Sequence, residues 1–195
     1  MKNNNKKAFL MHGMSGSMDI SFGVWLKEEL KKLGYQIFQP DFTVGKDITL
    51  ESWIKTMDEL KAEINDSSIF ICHSLSCLFV VKYFAKNNIS NKLIISVAGG
   101  LSEKSEVKPG FEHLIPFLLT DKEVATFNKL GNTLYNFYSD NDHIYSLKHL
   151  ENYNKKLNAV PVLLPNKGHF GASSGVKEVP EIIEIIKKTR KIIGY

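Results

Sequence analysis

Short apolar runs alternate with longer amphipathic segments along most of the 195-residue chain. The short runs are rich in β-branched or aromatic residues, as strands buried on both faces of a sheet should be. They lie at 7–11, 35–39, 68–72, 92–97, 133–138 and 160–164. Segments with apolar residues at helical spacing lie at 25–34, 52–64, 78–87, 146–157 and 180–193. This alternation predicts an α/β fold in a single domain, residues 1–195, with a mostly parallel sheet of about six strands flanked by helices.

The longest connection, residues 99–131, departs from this alternation. A long loop inside a compact domain is more often functional than idle. Its apolar run includes Phe111 and Phe117, and one interpretation is that these side chains line or cover a substrate pocket. A partly helical segment that packs on the sheet explains the same run at least as well.

Composition and charge narrow the class of protein. Hydrophobic residues make up 43% of the chain and charged residues 24%, which is ordinary for a compact globular protein. The net charge is +4, but the lysines are scattered and Arg190 is the only arginine. A nucleic-acid-binding face needs clustered arginine and lysine. We therefore expect a solvated, lysine-rich surface and no nucleic-acid partner.

Neither a membrane segment nor a metal site is expected. No apolar window reaches the roughly 18 residues of a transmembrane helix, and the first apolar run is too short for a signal peptide. A cytoplasmic location without a membrane partner follows by default. Cys72 and Cys77 show neither CxxC spacing nor a neighbouring metal-binding cluster, which indicates free thiols in the core.

Polar residues interrupt the apolar run 67–84 where a strand should give way to a helix. If residues 68–72 form the strand, Ser74 lies in the tight turn that follows. This position is typical of a nucleophile elbow, G-x-S-x-G, in which a strained turn presents the serine hydroxyl above a parallel sheet. Cys72 and Ser76 occupy the two glycine positions, and both are small. The alternative is that Ser74 is an ordinary helix N-cap.

A second motif follows the first strand. His12 and Gly13 open the stretch HGMSG, which is similar to the H-G-x-x-G segment that builds half of an oxyanion hole in many hydrolases with such an elbow. An oxyanion hole needs backbone N–H groups aimed at the oxygen on which negative charge develops. The N–H groups of Met14 and Leu75 are the candidates. A flexible turn is the alternative explanation of the glycines.

A base and an acid complete the pattern. His169 follows the last predicted strand, in the glycine-bounded loop PNKGHFG. Asp140 and Asp142 follow the strand before it, so the chain order is Ser, Asp, His, as in α/β-hydrolases. All these residues lie at the carboxyl ends of predicted parallel strands, where open α/β sheets bind their ligands. The spacing leaves both aspartates as candidates for the acid.

Six stretches together resemble the retinoblastoma-binding serine hydrolase family, whose members are small α/β-hydrolases without a separate cap domain. The stretches are KKAFLMHGMSGS, WLKEELKKLGYQIFQPDF, ICHSLS, SVAGG, SDNDHIYS and NKGHFG. The resemblance implies that Ser74 is the nucleophile, His169 the base and Asp142 the acid. His143 stands where that family usually continues with a proline-containing segment, and Ser76 stands at the second elbow glycine.

The sequence therefore predicts a serine hydrolase that cleaves an ester or related acyl bond of a small-molecule substrate through an acyl-enzyme intermediate. Such a reaction needs no metal and no other cofactor. Because a fold does not dictate a function, a non-catalytic protein-binding module on the same scaffold is the alternative. No feature of the sequence itself indicates a protein partner.

Overall fold

One parallel sheet organises the protein. The computed structural model describes residues 6–14, 16–100 and 103–193. The strands are β1 (Lys7–Met11), β2 (Gln36–Phe38), β3 (Ile69–His73), β4 (Leu93–Val97), β5 (Thr133–Tyr138) and β6 (Val160–Leu163). Neighbouring strands pair in parallel, in the spatial order β2-β1-β3-β4-β5-β6. The prediction of a mostly parallel sheet of about six strands is confirmed.

Helices follow most of the strands along the chain. They are α1 (Phe22–Lys32), α2 (Leu50–Glu59), α3 (Leu75–Asn87), α4 (Asp121–Lys129), α5 (Leu147–Lys156) and α6 (Pro180–Ile193). Each of these except α4 overlaps a segment that the apolar spacing predicts to be helical. Helix α4 lies inside the long connection between β4 and β5.

The sheet has a hydrophobic core on each face because successive strand residues point to opposite sides. Phe9 and Phe70 stack with 4.7 Å between ring centroids on the face covered by α2, α3 and α5. Leu10 and Ile71 lie on the other face, beneath α1 and α6. Burial of each such side chain stabilises the fold by about 1.5–3 kcal/mol. Two covered faces explain why the strands read as continuous apolar runs.

The long connection, residues 99–131, packs on the core where the structure describes it. It contains 3-10 turns at Lys104–Glu106 and Glu112–Phe117, followed by α4. Phe117 is fully buried, and its ring centroid lies 5.1 Å from that of Trp53 in α2. Of the two interpretations of this segment, a partly helical element packed on the fold is therefore the one that the structure supports.

Helix α4 begins at a capping box and is attached to α3 by an ion pair. The Thr120 hydroxyl accepts a hydrogen bond from the Glu123 N–H, and the Glu123 carboxylate accepts one from the Thr120 N–H at 2.8 Å. Lys82 of α3 donates to both carboxylate oxygens of Glu123, at 2.6 and 2.7 Å. The Lys82 side chain is only 10% exposed, so loss of its partner would leave a buried charge.

The parallel arrangement brings the carboxyl ends of the strands to one edge of the sheet. The loops that follow β1, β3, β5 and β6 meet at this edge. In the parts of the chain that the structure describes, no separate cap domain is inserted between the strands. The helices of those same parts include none with the length and apolar character needed to span a bilayer.

Candidate active site

Ser74 lies in a strained turn between β3 and α3. Its backbone dihedral angles are φ 58° and ψ −119°, a conformation that residues other than glycine rarely adopt. Such strain costs on the order of 1–3 kcal/mol and persists only where the surrounding structure enforces it. Ser74 occupies the N-cap position of α3, but its side chain makes no capping hydrogen bond. The hydroxyl is therefore available to another partner.

The residues around the turn explain how this geometry forms without the usual glycines. Ser76 is fully buried, and its hydroxyl donates to the Met11 carbonyl at 2.8 Å while it accepts from the His73 N–H at 2.9 Å. This serine therefore ties the turn to β1. A methyl group on Gly13 would lie 2.9 Å from the Ser74 Cβ, so the β1 loop passes the turn at a distance that only glycine permits.

His169 connects Ser74 to Asp142. The His169 Nε2 lies 2.9 Å from the Ser74 Oγ, and its Nδ1 lies 2.8 Å from the Asp142 Oδ2. Because a carboxylate only accepts hydrogen bonds, Nδ1 carries the ring proton. In the neutral ring, Nε2 is then the acceptor for the Ser74 hydroxyl. The three side chains come from the loops after β3, β5 and β6 and form one continuous hydrogen-bonded path.

The Asp142 carboxylate is buried but charged. Its side chain has no exposed surface. Burial alone would raise its pKa. Two effects outweigh burial: the hydrogen bond and charge attraction from His169, and the hydrogen bonds from the N–H groups of Tyr145 and Ile144. Together they hold the pKa below the ordinary 3.8. Those two N–H groups bind the Asp142 Oδ1 at 3.0 and 2.8 Å. Asp142 is thus fixed and ionised beside the imidazole.

A cavity of about 300 Å³ opens beside the Ser74 hydroxyl. Besides the histidines and small residues of the site, its wall contains the apolar side chains of Met14, Met18, Ile20, Phe22, Ile144 and Phe170. Ile20 and Ile144 are 45% and 58% exposed. The cavity therefore offers an apolar surface next to the hydroxyl.

The pocket expectation for Phe111 and Phe117 requires correction. Neither occurs among the described residues that line this cavity. Phe117 is buried in the core instead, and Phe111 is 40% exposed and stacks on His113 with 6.2 Å between ring centroids. The apolar run attaches the long connection to the fold, because α3 and α2 leave a groove that Phe117 fills.

The two candidate oxyanion donors lie at this edge of the sheet. Leu75 is the first residue of α3, and the first N–H groups of a helix have no acceptor within the helix. Met14 lines the cavity. The Gly13 carbonyl, in the peptide that precedes Met14, accepts a hydrogen bond from the His12 Nδ1 at 2.7 Å. His12 therefore fixes the orientation of that peptide.

The model of the serine hydrolase family matches residues 8–188, which is most of the chain and includes the strained serine, the histidine and the aspartate. The chain belongs to the serine hydrolase family. The family prediction is confirmed at this level. The narrower likeness to retinoblastoma-binding hydrolases stays an interpretation of the sequence.

Solved structures share the fold of this serine hydrolase. The ydeN gene product from B. subtilis is similar with a TM-score of 0.82 and 18% sequence identity, over 94% of this chain and 98% of that one. Est1E from Butyrivibrio proteoclasticus is similar with a TM-score of 0.70 and 16% identity, over 95% of this chain and 86% of that one. No curated protein matches the chain. At these identities the structural likeness establishes the fold alone.

A polar latch that the sequence analysis missed holds the loop that carries His169 in this serine hydrolase. The latch comprises Ser139, Asp140 and Asn141, directly after β5. Their side-chain oxygens accept hydrogen bonds from the N–H groups of residues 166–168, at 2.7 to 2.9 Å. The loop that carries His169 is thereby attached to the loop that carries Asp142. The run of short polar residues SDN was the available signal.

The second candidate acid belongs to this latch. Asp140 is exposed and its Oδ1 accepts from the Asn166 N–H at 2.9 Å. Of the two aspartates, Asp142 is the one within hydrogen-bond distance of the His169 ring. In the described ranges, no cluster of three or more His, Cys, Asp or Glu side chains has a geometry suited to a metal ion.

Proposed function

We propose that this protein is a carboxylesterase-like serine hydrolase in which Ser74 is the nucleophile, His169 the general base and Asp142 the orienting acid. The observation that carries the proposal is the continuous path of hydrogen bonds from the buried Asp142 carboxylate through His169 to a hydroxyl held in a strained turn. A serine needs such a base, and the base needs an orienting group. The cavity gives the hydroxyl access to a substrate.

The proposed reaction proceeds through an acyl-enzyme. The Ser74 Oγ bonds to the substrate carbonyl carbon while its proton moves to the His169 Nε2, and Asp142 stabilises the resulting imidazolium. When the tetrahedral intermediate collapses, the bond to the leaving group breaks and Nε2 returns the proton to that group. Water then attacks the acyl-enzyme by the same route and releases the acid. No cofactor takes part in these steps.

The backbone N–H groups of Leu75 and Met14 are the proposed oxyanion donors. The Leu75 N–H lies at the N-terminus of α3, so the positive end of the helix dipole also attracts the oxyanion there. The peptide bonds of the described residues are trans, so the Met14 N–H points away from the Gly13 carbonyl that His12 binds. Removal of one such donor costs about a hundredfold to a thousandfold in kcat in a studied protease.

The substrate class that fits the cavity is an ester with an uncharged, apolar acyl group. The described residues that line it include no lysine, arginine, aspartate or glutamate, and most of the large side chains there are apolar. A charged acyl group would lose hydration without gaining a partner. Est1E, which shares the fold, has been crystallised with ferulic acid, so an aromatic acyl group belongs in the test panel.

The test is a panel of p-nitrophenyl esters with acyl chains of increasing length and one aromatic acyl ester. We expect turnover that depends on the acyl group and is lost in Ser74→Ala. Ile144→Ala, at the cavity wall, should shift the preference towards larger acyl groups. Leu147→Ala is the matched control, because Leu147 is similarly exposed and lies outside the cavity wall. Turnover no faster than that of Ser74→Ala would contradict the proposal.

A non-catalytic binding module is the weaker candidate. Such a module needs a surface for its partner. It needs neither a serine in a strained turn nor a histidine in the tautomer that accepts the proton of the serine hydroxyl. Both are present here. The esterase proposal accounts for both features.

A further inference from the structure

We propose that His73, the residue before the nucleophile, is a positioning residue that holds the general base in place through the main-chain carbonyl of His169. This inference rests on the proposed roles of Ser74 and His169. It assigns a task to a histidine that takes no part in the proposed reaction itself.

The contact links two distant parts of the chain. The His73 Nε2 lies 2.8 Å from the His169 carbonyl oxygen, across 96 residues of sequence. Because a carbonyl only accepts hydrogen bonds, Nε2 carries the proton and donates it. The two imidazole rings are 5.2 Å apart at their centroids. His73 therefore contacts the backbone of the base, while the side chain of the base stays free to bind Ser74 and Asp142.

The surroundings of His73 keep its ring neutral. Burial lowers the pKa of His73 to about 4, and repulsion from the His169 ring acts in the same direction. The edge of the Phe22 ring of α1 packs against it, with 6.0 Å between centroids. At neutral pH the ring thus has one N–H, and this N–H donates to the His169 carbonyl.

The hydrogen bond from His73 to the His169 carbonyl, called the anchor below, holds a strained stretch of backbone. Gly168 and Phe170 on either side have φ angles of 53° and 58°, and the value at Phe170 is unfavourable for a bulky side chain. The His169 N–H is held by the Ser174 hydroxyl at 3.1 Å. His73 holds the carbonyl of the same residue. Donor and acceptor groups of the base residue are therefore both fixed, which keeps a strained loop in one conformation.

The position of His73 makes the anchor relevant to catalysis. His73 and Ser74 are consecutive, so one rigid turn positions both the Ser74 hydroxyl and the His73 ring that binds the His169 carbonyl. The hydrogen bonds from Ser74 to the His169 ring and from His73 to the His169 carbonyl close a loop of contacts. A displacement of about 1 Å between reacting groups costs about a hundredfold in rate. We therefore expect loss of the anchor to lower kcat and leave KM nearly unchanged.

The test compares His73→Gln with His73→Leu. Glutamine has an N–H donor the same number of bonds from the main chain as the histidine Nε2, whereas leucine has none. On a p-nitrophenyl ester we expect His73→Leu to lower kcat by about ten- to a hundredfold, with KM within about threefold of wild type. His73→Gln should restore kcat to within about threefold of wild type. Ile186→Val on α6, which is buried and lies outside the cavity wall, is the packing control.

A second readout does not depend on turnover. The proton between the His169 Nδ1 and Asp142 should give a low-field NMR signal, because its hydrogen bond to a carboxylate is strong and protected. We expect this signal to be sharp in wild type and His73→Gln and broadened in His73→Leu. If His73→Leu does not fold, His73→Asn replaces it, since its amide is one bond too short to reach the carbonyl.

Two results would overturn the proposal. One is an equally sharp NMR signal in His73→Leu, which would show that the base stays positioned without the anchor. The other is an equal loss of kcat in the glutamine and leucine variants, which would assign the effect to the shape of the imidazole. Failure of the proposed function is a separate result: wild type would then lack ester turnover, while the NMR comparison would still test His73.

Discussion

The described part of the protein contains two hydrogen-bonded sets of a serine, a histidine and a carboxylate, and one of these two has the features expected of a catalytic site. The elbow set comprises Ser74, His169 and Asp142. The surface set comprises Ser146, His149 and Glu106. In the surface set the His149 Nδ1 lies 3.0 Å from the Ser146 Oγ, and its Nε2 lies 2.9 Å from the Glu106 Oε1. These distances match those of the elbow set, so hydrogen-bond connectivity does not distinguish the two.

Backbone geometry is the first difference. Ser146 precedes α5 as its N-cap with φ −65° and ψ 156°, a relaxed conformation for that position, whereas Ser74 has a positive φ. Ser146 and His149 are three residues apart on one helix turn, while Ser74 and His169 come from different loops. The elbow set therefore stores strain and depends on the whole fold, and the surface set forms from local contacts.

Burial is the second difference. The Asp142 side chain is fully buried, whereas that of Glu106 is 41% exposed. Water screens the Glu106 charge, so its interaction with a developing imidazolium is weak. Ser146 is itself exposed, whereas Ser74 lines the cavity. The comparison indicates that strain, burial and access to a cavity distinguish a nucleophile, since both sets share the hydrogen bonds.

The largest expected effect separates the two serines. Ser74→Ala should lower kcat for an ester by about ten-thousandfold or more, because the covalent route is lost. Ser146→Ala should leave kcat within about twofold. Steady-state kinetics on one p-nitrophenyl ester, with thermal melts to verify folding, provide the measurement. Equal losses in both variants would break the distinction between the sets.

The two carboxylates should differ next. Asp142→Asn should lower kcat by at least about a hundredfold, because asparagine favours the wrong imidazole tautomer. Glu106→Gln is the matched control, since it makes the same change in the surface set, and it should leave kcat unchanged. The measurement is kcat for both variants on the same ester. Near-normal turnover in Asp142→Asn would remove Asp142 from the proposed triad.

The free energy of unfolding should depend on pH because of His73, which adjoins the elbow set. His73 has a pKa of about 4 in the folded protein and 6.5 when free. Between those values the unfolded chain binds a proton that the folded protein does not, so the free energy of unfolding falls as the pH falls, by about 3 kcal/mol across the window. Asp142 adds its own loss only as the pH falls below 3.8, because there the unfolded chain binds a proton at this carboxylate while the folded protein keeps it ionised.

Urea unfolding at pH 7.5 and 4.5 measures this effect. The difference between the two pH values should shrink in His73→Gln, which cannot titrate. Ile186→Val, which changes packing without changing a titratable group, should leave the difference as in wild type. A wild-type difference that persists in full in His73→Gln would assign the pH dependence to other groups.

The smallest expected effect concerns the latch. Asp140→Asn should lower the free energy of unfolding by no more than about 1 kcal/mol, because asparagine keeps an acceptor oxygen for the Asn166 N–H. Its kcat should stay within about threefold of wild type. Chemical denaturation and ester kinetics should be measured side by side on this variant and on Asp142→Asn. They compare the stability role expected of Asp140 with the catalytic role proposed for Asp142. A kcat loss in Asp140→Asn as large as that in Asp142→Asn would contradict it.

The sequence was sufficient to predict the strands and the chain order of Ser74, Asp142 and His169, which the structure joins by hydrogen bonds, because both predictions depend on local patterns. Continuous apolar runs predicted buried parallel strands, and the interruption at Ser74 marked the turn. Glycine-like backbone geometry at Ser74 was predictable in spite of the missing glycines, since Cys72 and Ser76 are small. The hydrogen bond from Ser76 to β1 could not be read from the sequence, because it joins residues 65 positions apart.

The failures of the sequence analysis share a physical cause. The pocket interpretation of Phe117 was wrong because the same apolar residue suits a cavity wall and a core, and only the positions of α2 and α3 decide between them. The packing of helix α4 could not be predicted for a related reason: its ion pair from Lys82 to Glu123 is a tertiary contact. The capping box at Thr120 and Glu123, by contrast, was a local signal of the helix that the sequence analysis did not use. The carbonyl contact of His73 likewise depends on a loop 96 residues away.

The most direct test of the account is the site of reaction with a fluorophosphonate, which labels only a serine activated by its base. We expect the intact mass of the folded protein to increase by one adduct, and peptide mapping to locate that adduct on Ser74. Ser74→Ala should not be labelled, and Ser146→Ala should be labelled like wild type. An adduct on Ser146 or Ser76, or no adduct on the folded protein, would contradict the assignment of Ser74 as the nucleophile.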